Sequence, residues 1–175
     1  MRSFMLAGAL SCALAVTAAV PATAGARCRS AHKRPAVARL DAARVATLCM
    51  VNVVRRRAGL EPVHTARSLR LAADGHAQSM AAGSYLSHTE PSGATLLDRV
   101  TSTGLTSFDL LGENLYWGQP RVASPAAAVR AWMRSPGHRA ILLGGQFRQA
   151  GIGIARGLPP GVPGHAFFYA LDLAA

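Results

Sequence analysis

Two neighbouring stretches decide how this chain folds: Gly112-Glu113-Asn114-Leu115-Tyr116-Trp117-Gly118 and Trp132-Met133-Arg134-Ser135-Pro136-Gly137-His138-Arg139. The first sets a glutamate between glycine and asparagine, then runs into Tyr116 and Trp117, residue types that suit a half-buried strand. The second closes a helical segment. Ser124-Pro125 reads as an N-cap followed by proline at the first helical position, Val129, Trp132 and Met133 fall on one apolar face, and Pro136-Gly137 reads as the turn that stops it. Both tryptophans of the chain lie in these stretches. Upstream, Tyr85-Leu86-Ser87-His88-Thr89 brings a further histidine in a polar, Gly/Pro-bounded segment. His88, Glu113 and His138 are the candidate site.

Working outward, Leu40, Ala43, Thr47, Val51, Val54 and Ala58 recur at helical spacing and predict a first helix over 40–58, ended by Gly59. Arg55, Arg56 and Arg57 fall in its last turn, where they complement the helix dipole and read as a solvated end. A second helix runs to about Ala82, capped by Ser68 or Thr65 and stopped by Gly83. Leu69, Ala72, Ala73, His76 and Met80 share its face, so His76 reads as a packed histidine with one hydrogen bond. Thr95 to Ser102 predicts a short third helix ending near Gly104. Residues 149–155 and 165–173 predict two strands around a Gly/Pro turn at 157–164. Gly151 and Gly153 alternate with isoleucines, the pattern of a strand face that another backbone approaches closely. Helices with a small sheet make an α+β domain or a three-layer sandwich.

Five segments occur in order: Ala77-Gln78-Ser79-Met80, Leu86-Ser87-His88, Gly112-Glu113-Asn114-Leu115, the run from Ala131 to Arg139, and Gly151-Ile152-Gly153. In that order they resemble the bacterial branch of the CAP superfamily, the SCP-domain proteins. That superfamily takes in cysteine-rich secretory proteins, antigen 5 and the pathogenesis-related 1 proteins of plants. The resemblance runs from about Leu40 to the C-terminus and implies a three-layer α-β-α sandwich over 40–175. It also implies a central cleft lined by two histidines and two glutamates. His88, Glu113 and His138 look like three of those four positions, and the second glutamate falls at Ser135. Some members bind lipids or sterols, so a small apolar ligand is permitted by the resemblance.

The N-terminus reads as a secretory signal over 1–26. Arg2 is followed by an apolar, small-residue run from Phe4 to Val20 and by Ala22-Thr23-Ala24, an A-x-A cleavage site. About 150 residues remain, enough for one domain with its own core. Residues 27–39 are basic, contain Pro35, and read as a flexible arm. Cys28 and Cys49 are the cysteines left after processing, and an even pair in an oxidising compartment predicts a disulfide. The chain is expected to be extracellular and monomeric.

The formal charge is +11, from 19 Lys and Arg against 8 Asp and Glu. Lys33 is the one lysine. Such a balance suits an anionic envelope polymer, a lipid surface or nucleic acid, but equally follows from the arginine and alanine bias of GC-rich coding. The arginines are scattered except at 55–57, and no aromatic-rich RNA-binding signature accompanies them, which argues against sequence-specific nucleic-acid recognition.

Two histidines, a glutamate and a water are the donor set of an open divalent site, zinc being the type case. They also suit acid–base work near neutral pH. Serine at 135 is a poor ligand and no general base, which counts against catalysis. No G-x-S-x-G elbow surrounds Ser87 or Ser135. The expectation is therefore a ligand-binding or interaction module at the cell envelope or outside the cell, taking a small apolar or anionic ligand in the cleft. The alternatives are a divalent-metal-dependent hydrolase and an electrostatic binder of anionic polymers.

Overall fold

In a computed structural model that describes residues 28–175, a four-stranded mixed sheet is the middle layer. Residues 1–26, expected as a secretory signal, lie outside the described residues. The strands are β1 (His64–Thr65), β2 (Leu111–Gly118), β3 (Gln149–Gly157) and β4 (Ala166–Ala174), in the spatial order β1-β3-β4-β2. β3 and β2 each pair antiparallel with β4, and β1 pairs parallel with β3. The helices are α1 (Leu40–Arg57), α2 (Arg67–Gly83), α3 (Leu96–Ser102), α4 (Pro125–Arg134) and α5 (Pro136–Leu142).

Strand periodicity sorts the core into two faces. Phe167, Tyr169, Leu171 and Leu173 of β4 point to one side with Ile152 and Ile154 of β3, and pack on α1 and α4 through Val51, Val129 and Trp132. Ala166, Phe168 and Ala170 point to the other side, with Leu115, onto Ala73, Ala77 and Met80 of α2. The result is the expected α-β-α sandwich, with α1, α4 and α5 over one face and α2 and α3 over the other.

The glycine pattern of β3 has a direct cause. A Cβ on Gly153 would sit 1.9 Å from the Ala73 carbonyl oxygen, and one on Gly151 would sit 2.2 Å from that of Leu69. The backbone of α2 therefore lies on the backbone of β3 with no room for a side chain, as the alternation with isoleucine predicts.

Four features depart from the sequence expectations. α2 starts without a side-chain cap, its N-cap being Ala66 rather than Ser68 or Thr65. The two-residue β1 carries too little pattern to be read in advance. Pro136 does not end the helical run but opens a new helix at a position where its missing N–H is no loss, so His138 is helical rather than in a turn. Arg55 is not solvated. Its buried face continues Ala43, Thr47 and Val51 at four-residue steps, and the side chain is 0% exposed. Its guanidinium donates to the carbonyls of Glu61 (3.0 Å), Leu142 (3.0 Å), Gly144 (2.9 Å) and Phe147 (3.1 Å), tying α1 to the end of α5 and the loop beyond.

Residues 28–39, expected as a flexible arm, are seated on the domain. Cys28 and Cys49 form the expected disulfide to α1. Ala31 is buried, and its carbonyl accepts a 2.8 Å bond from the Ala126 N–H at the start of α4. Pro35 is buried as well.

Candidate functional site

Glu113 sits on the edge strand β2, and the groups that hold it come from four other places in the chain. Its side chain is 3% exposed. One oxygen, Oε1, lies 2.7 Å from His88 Nδ1, in the loop after α2. The other, Oε2, accepts a 2.6 Å bond from Arg99 Nη2, on α3. His76 Nε2 of α2 stands 3.7 Å from that same oxygen. Directly across the sheet, Glu113 is paired in register with Asp172 of β4.

The supporting shell is fixed by its own bonds. Arg99 also donates to the carbonyls of His88 (3.1 Å) and Ala94 (3.2 Å), so one guanidinium positions both members of the His88–Glu113 pair. α3 is held at its start by a capping box, Thr95 with Asp98. His76 is fully buried, with Nδ1 3.1 Å from Glu90 Oε1 and Nε2 2.9 Å from the Ser87 carbonyl. The latter fixes the loop one residue before His88. A histidine expected to make one bond makes two and braces the site.

Asp172 is fully buried, and neither carboxyl oxygen meets a donor among the described residues. Burial first, and then the neighbouring Glu113 charge, push its pKa well above the carboxylate range, with Arg99 opposing. Protonated, Asp172 carries an O–H donor and no charge, on the strand position directly opposite Glu113.

His88 is the exposed member of the cluster, with 60% of its side chain in solvent. Its bond to Glu113 raises its pKa above the ordinary histidine value, against smaller opposing effects of burial and Arg99. With Nδ1 held by the carboxylate, the Nε2 edge is the one left to solvent. His138 is half-buried, and its pKa is lowered, chiefly by burial and then by the charge of His88. The two imidazoles are thus electrostatically in reach of one another. The α5 backbone is tied to the edge strand by Asn114, whose Nδ2 donates to the His138 carbonyl at 2.9 Å. Trp132 Nε1 donates to the Leu115 carbonyl at 2.9 Å, securing α4 beside the same strand.

Ser135 is the joint between α4 and α5, serving as C-cap of one and N-cap of the other without a side-chain cap bond. Its N–H donates to Ala131 and Trp132, and its carbonyl accepts from Arg139.

His88, Glu113 and His138 do not fit a divalent ion in this arrangement. Both Glu113 oxygens are engaged, and the guanidinium on Oε2 is a cation where a metal would need a free lone pair. Among the described residues no group of three or more His, Cys, Asp and Glu is placed to hold a metal ion.

Sequence reasoning missed Glu90, Arg99 and Asp172. Only Asp172 carried a signal, as the single charged residue in the apolar strand 166–174, where an acid demands a partner.

With this geometry in hand, the chain can be set beside known proteins. A model of the cysteine-rich secretory protein family, CAP, matches residues 48–167. Two Bacillus subtilis proteins are similar: the uncharacterized protein YkwD, 33% identical over 104 residues, and the uncharacterized membrane protein YlbC, 33% identical over 109. The matches cover 59% and 62% of this chain but 39% and 30% of those proteins, so the chain spans well under half of either. Among solved structures, an extracellular protein containing an SCP domain from Bacillus anthracis is 28% identical, with a TM-score of 0.62, over 77% of this chain and 40% of that one. An outer surface protein of Borrelia burgdorferi, 20% identical with a TM-score of 0.59 over 73% of this chain and 87% of that one, shares the fold.

Proposed function

The chain belongs to the CAP family of cysteine-rich secretory proteins, and from that premise we propose that it is an extracellular ligand-binding or interaction module that acts through the surface at His88 and His138, rather than through a defined reaction. One observation carries this reading. Glu113 is buried and fully engaged, so it serves as an anchor, while the His88 ring that it holds is turned to solvent. Glu113 lies buried behind the His88 ring, out of reach of a bound molecule, and Ser135 supplies no second carboxylate.

The two imidazoles differ in what they present. His88, with its raised pKa, offers an N–H donor and a fraction of positive charge near neutral pH. His138, with its lowered pKa, stays a neutral ring and offers an apolar face with a single acceptor or donor. Such a pair suits a small ligand with an acidic or strongly accepting group at one end and an apolar portion at the other. An extracellular location agrees with the descriptions of the Bacillus anthracis and Borrelia burgdorferi proteins, and no helix among the described residues is long and apolar enough to cross a membrane.

The test is a ligand screen by NMR on protein labelled at its histidine rings, using short fatty acids and aromatic carboxylates as probes. Hits are expected to move the His88 and His138 ring signals together, and His88→Ala is expected to weaken them at least tenfold. Hits that leave both rings unmoved overturn the reading.

The +11 charge supports a second contact of a different kind, electrostatic attraction to an anionic polymer. That attraction should weaken steeply with salt and show little sequence preference. Binding that persists unchanged at high salt removes it.

A further inference from the structure

The basic N-terminal segment is held in one place, and it encloses a pocket. Its turn is closed by the Ala31 N–H on the Cys28 carbonyl (3.2 Å) and the Lys33 N–H on that of Ser30 (3.0 Å). Ser30 adopts a left-handed backbone, φ 62°, a conformation uncommon for a residue with a side chain. The Cys28–Cys49 disulfide and the Ala31–Ala126 bond fasten the turn to α1 and α4. Between this turn and the first turn of α1 lies a cavity of about 160 Å³ lined by Ser30, Lys33, Arg34, Pro35, Arg39 and Ala42, among others.

Lys33, Arg34 and Arg39 all line this cavity. The ion pairs among the described residues involve other cations, namely Arg44, Arg70, Arg99 and the histidines. The nearest acid in sequence, Asp41, is paired with Arg44. All three side chains are exposed, so water screens their mutual repulsion, while the disulfide and the Ala31–Ala126 bond hold the backbone that carries Lys33 and Arg34 beside the start of α1.

We infer that this cavity is a binding site for a phosphate group, either free phosphate or the phosphodiester of an anionic polymer. Two guanidinium forks and an ammonium are the donor types that phosphate oxygens take, and Ser30 adds a hydroxyl. The cavity, open to solvent on one side, has room for one such group. The site is separate from the His88 surface and does not depend on it. It deepens the charge-driven reading by giving it a location, and the control below separates a located site from diffuse attraction.

The experiment titrates inorganic phosphate, and in a parallel arm a short poly(glycerol phosphate), into the ¹⁵N-labelled protein with its disulfide intact. Saturating amide shifts are expected between residues 30 and 43. Arg34→Gln with Arg39→Gln should weaken binding at least tenfold, whereas the charge-matched pair Arg56→Gln with Arg57→Gln, on exposed positions of α1, should change it by less than twofold. Tighter binding of the polymer identifies the phosphodiester as the source, and saturation by phosphate alone identifies the free ion. Equal losses in the two double variants, or shifts spread over the arginines of the whole surface, overturn the site and leave only diffuse attraction. Absence of any saturable shift overturns both. The wild-type shift map decides the matter should the Arg34/Arg39 variant fold poorly.

Discussion

Replacing Arg55 tests the least expected packing in the domain. Arg55→Met keeps much of the aliphatic stem but removes every donor, leaving the carbonyls of Glu61, Leu142, Gly144 and Phe147 without this partner. The bonds to Leu142 and Phe147 are wholly buried, whereas those to Glu61 and Gly144 are partly open to water. Phe147 keeps a 2.9 Å bond from Arg148, so Leu142 is the buried acceptor left unsatisfied, at a gross cost of about 1–3 kcal/mol. Removing a cation that burial and Arg148 already disfavour offsets part of that. A net loss of about 2 kcal/mol is expected, a sizeable fraction of the ~5–15 kcal/mol that typically holds a domain together. Arg55→Lys should fall between, because three donors on one nitrogen cannot reach carbonyls spread over two segments. Arg56→Ala, one position on and exposed, should cost under about 0.5 kcal/mol. Urea denaturation reads all three, as shifts in midpoint at constant slope. If Arg55→Met and Arg56→Ala lose the same amount, the buried guanidinium does not hold the two segments together.

Further outcomes follow from the same structure. Gly153→Ala should destabilise by roughly 3 kcal/mol, the upper end of the overpacking range, because its Cβ meets the Ala73 backbone at 1.9 Å. Gly75→Ala, with nothing within 4 Å on the exposed side of α2, should instead stabilise by about 0.5–1 kcal/mol; thermal melts showing the same sign for both would refute the close approach. Asp172→Asn should gain on the wild type as pH rises. With the folded pKa of Asp172 raised, the folded state holds a proton that the unfolded chain releases above about pH 3.9, so wild-type stability falls with rising pH up to the folded pKa. A stability difference that stays flat between about pH 4 and 8 would contradict this. Cys49→Ser opens a bridge with a sequence separation of 21 and should cost about 3 kcal/mol on the loop-entropy argument, measurable as a drop in melting temperature under oxidising conditions.

Much of this fold is legible in the sequence because its signals are local. Gly151 and Gly153 announce a backbone contact, since nothing else requires glycine twice on one strand face. Ser124-Pro125 begins α4, and Thr95 caps α3 with Asp98 three residues on. What is not legible depends on partners distant in the chain. Arg55 looks like its neighbours Arg56 and Arg57, and the carbonyls that claim it from the far side of the domain lie 87 to 92 residues away. The first-helix stripe is misread by one position for the same reason: an arginine is counted as polar, and the true face of four-residue steps ends on it. Pro136 reads as a stop because proline breaks a helix and also begins one, and only the chain direction beyond it decides which.

The candidate site shows the same division. His88 and Glu113 are found from residue type and resemblance, and the structure brings them to 2.7 Å. Their supports are not found, because each is an ordinary residue until its neighbour is known. Arg99 neutralises the buried carboxylate of Glu113, and Asp172, opposite it across the strand pair, stays protonated and adds no second charge. His76 and Arg99 together fix the loop from Ser87 to His88. A buried carboxylate is costly without such partners, and three elements packed around one glutamate are more than the sandwich core requires. The side chain that all this ordering delivers to the surface is a single imidazole. If the His88–Glu113 bond were not kept in solution, Glu113→Gln would alter stability and leave the His88 pKa alone. If the bond is kept, Glu113→Gln should also lower the His88 pKa, because the carboxylate is what raises it. An NMR titration of the His88 ring separates the two cases.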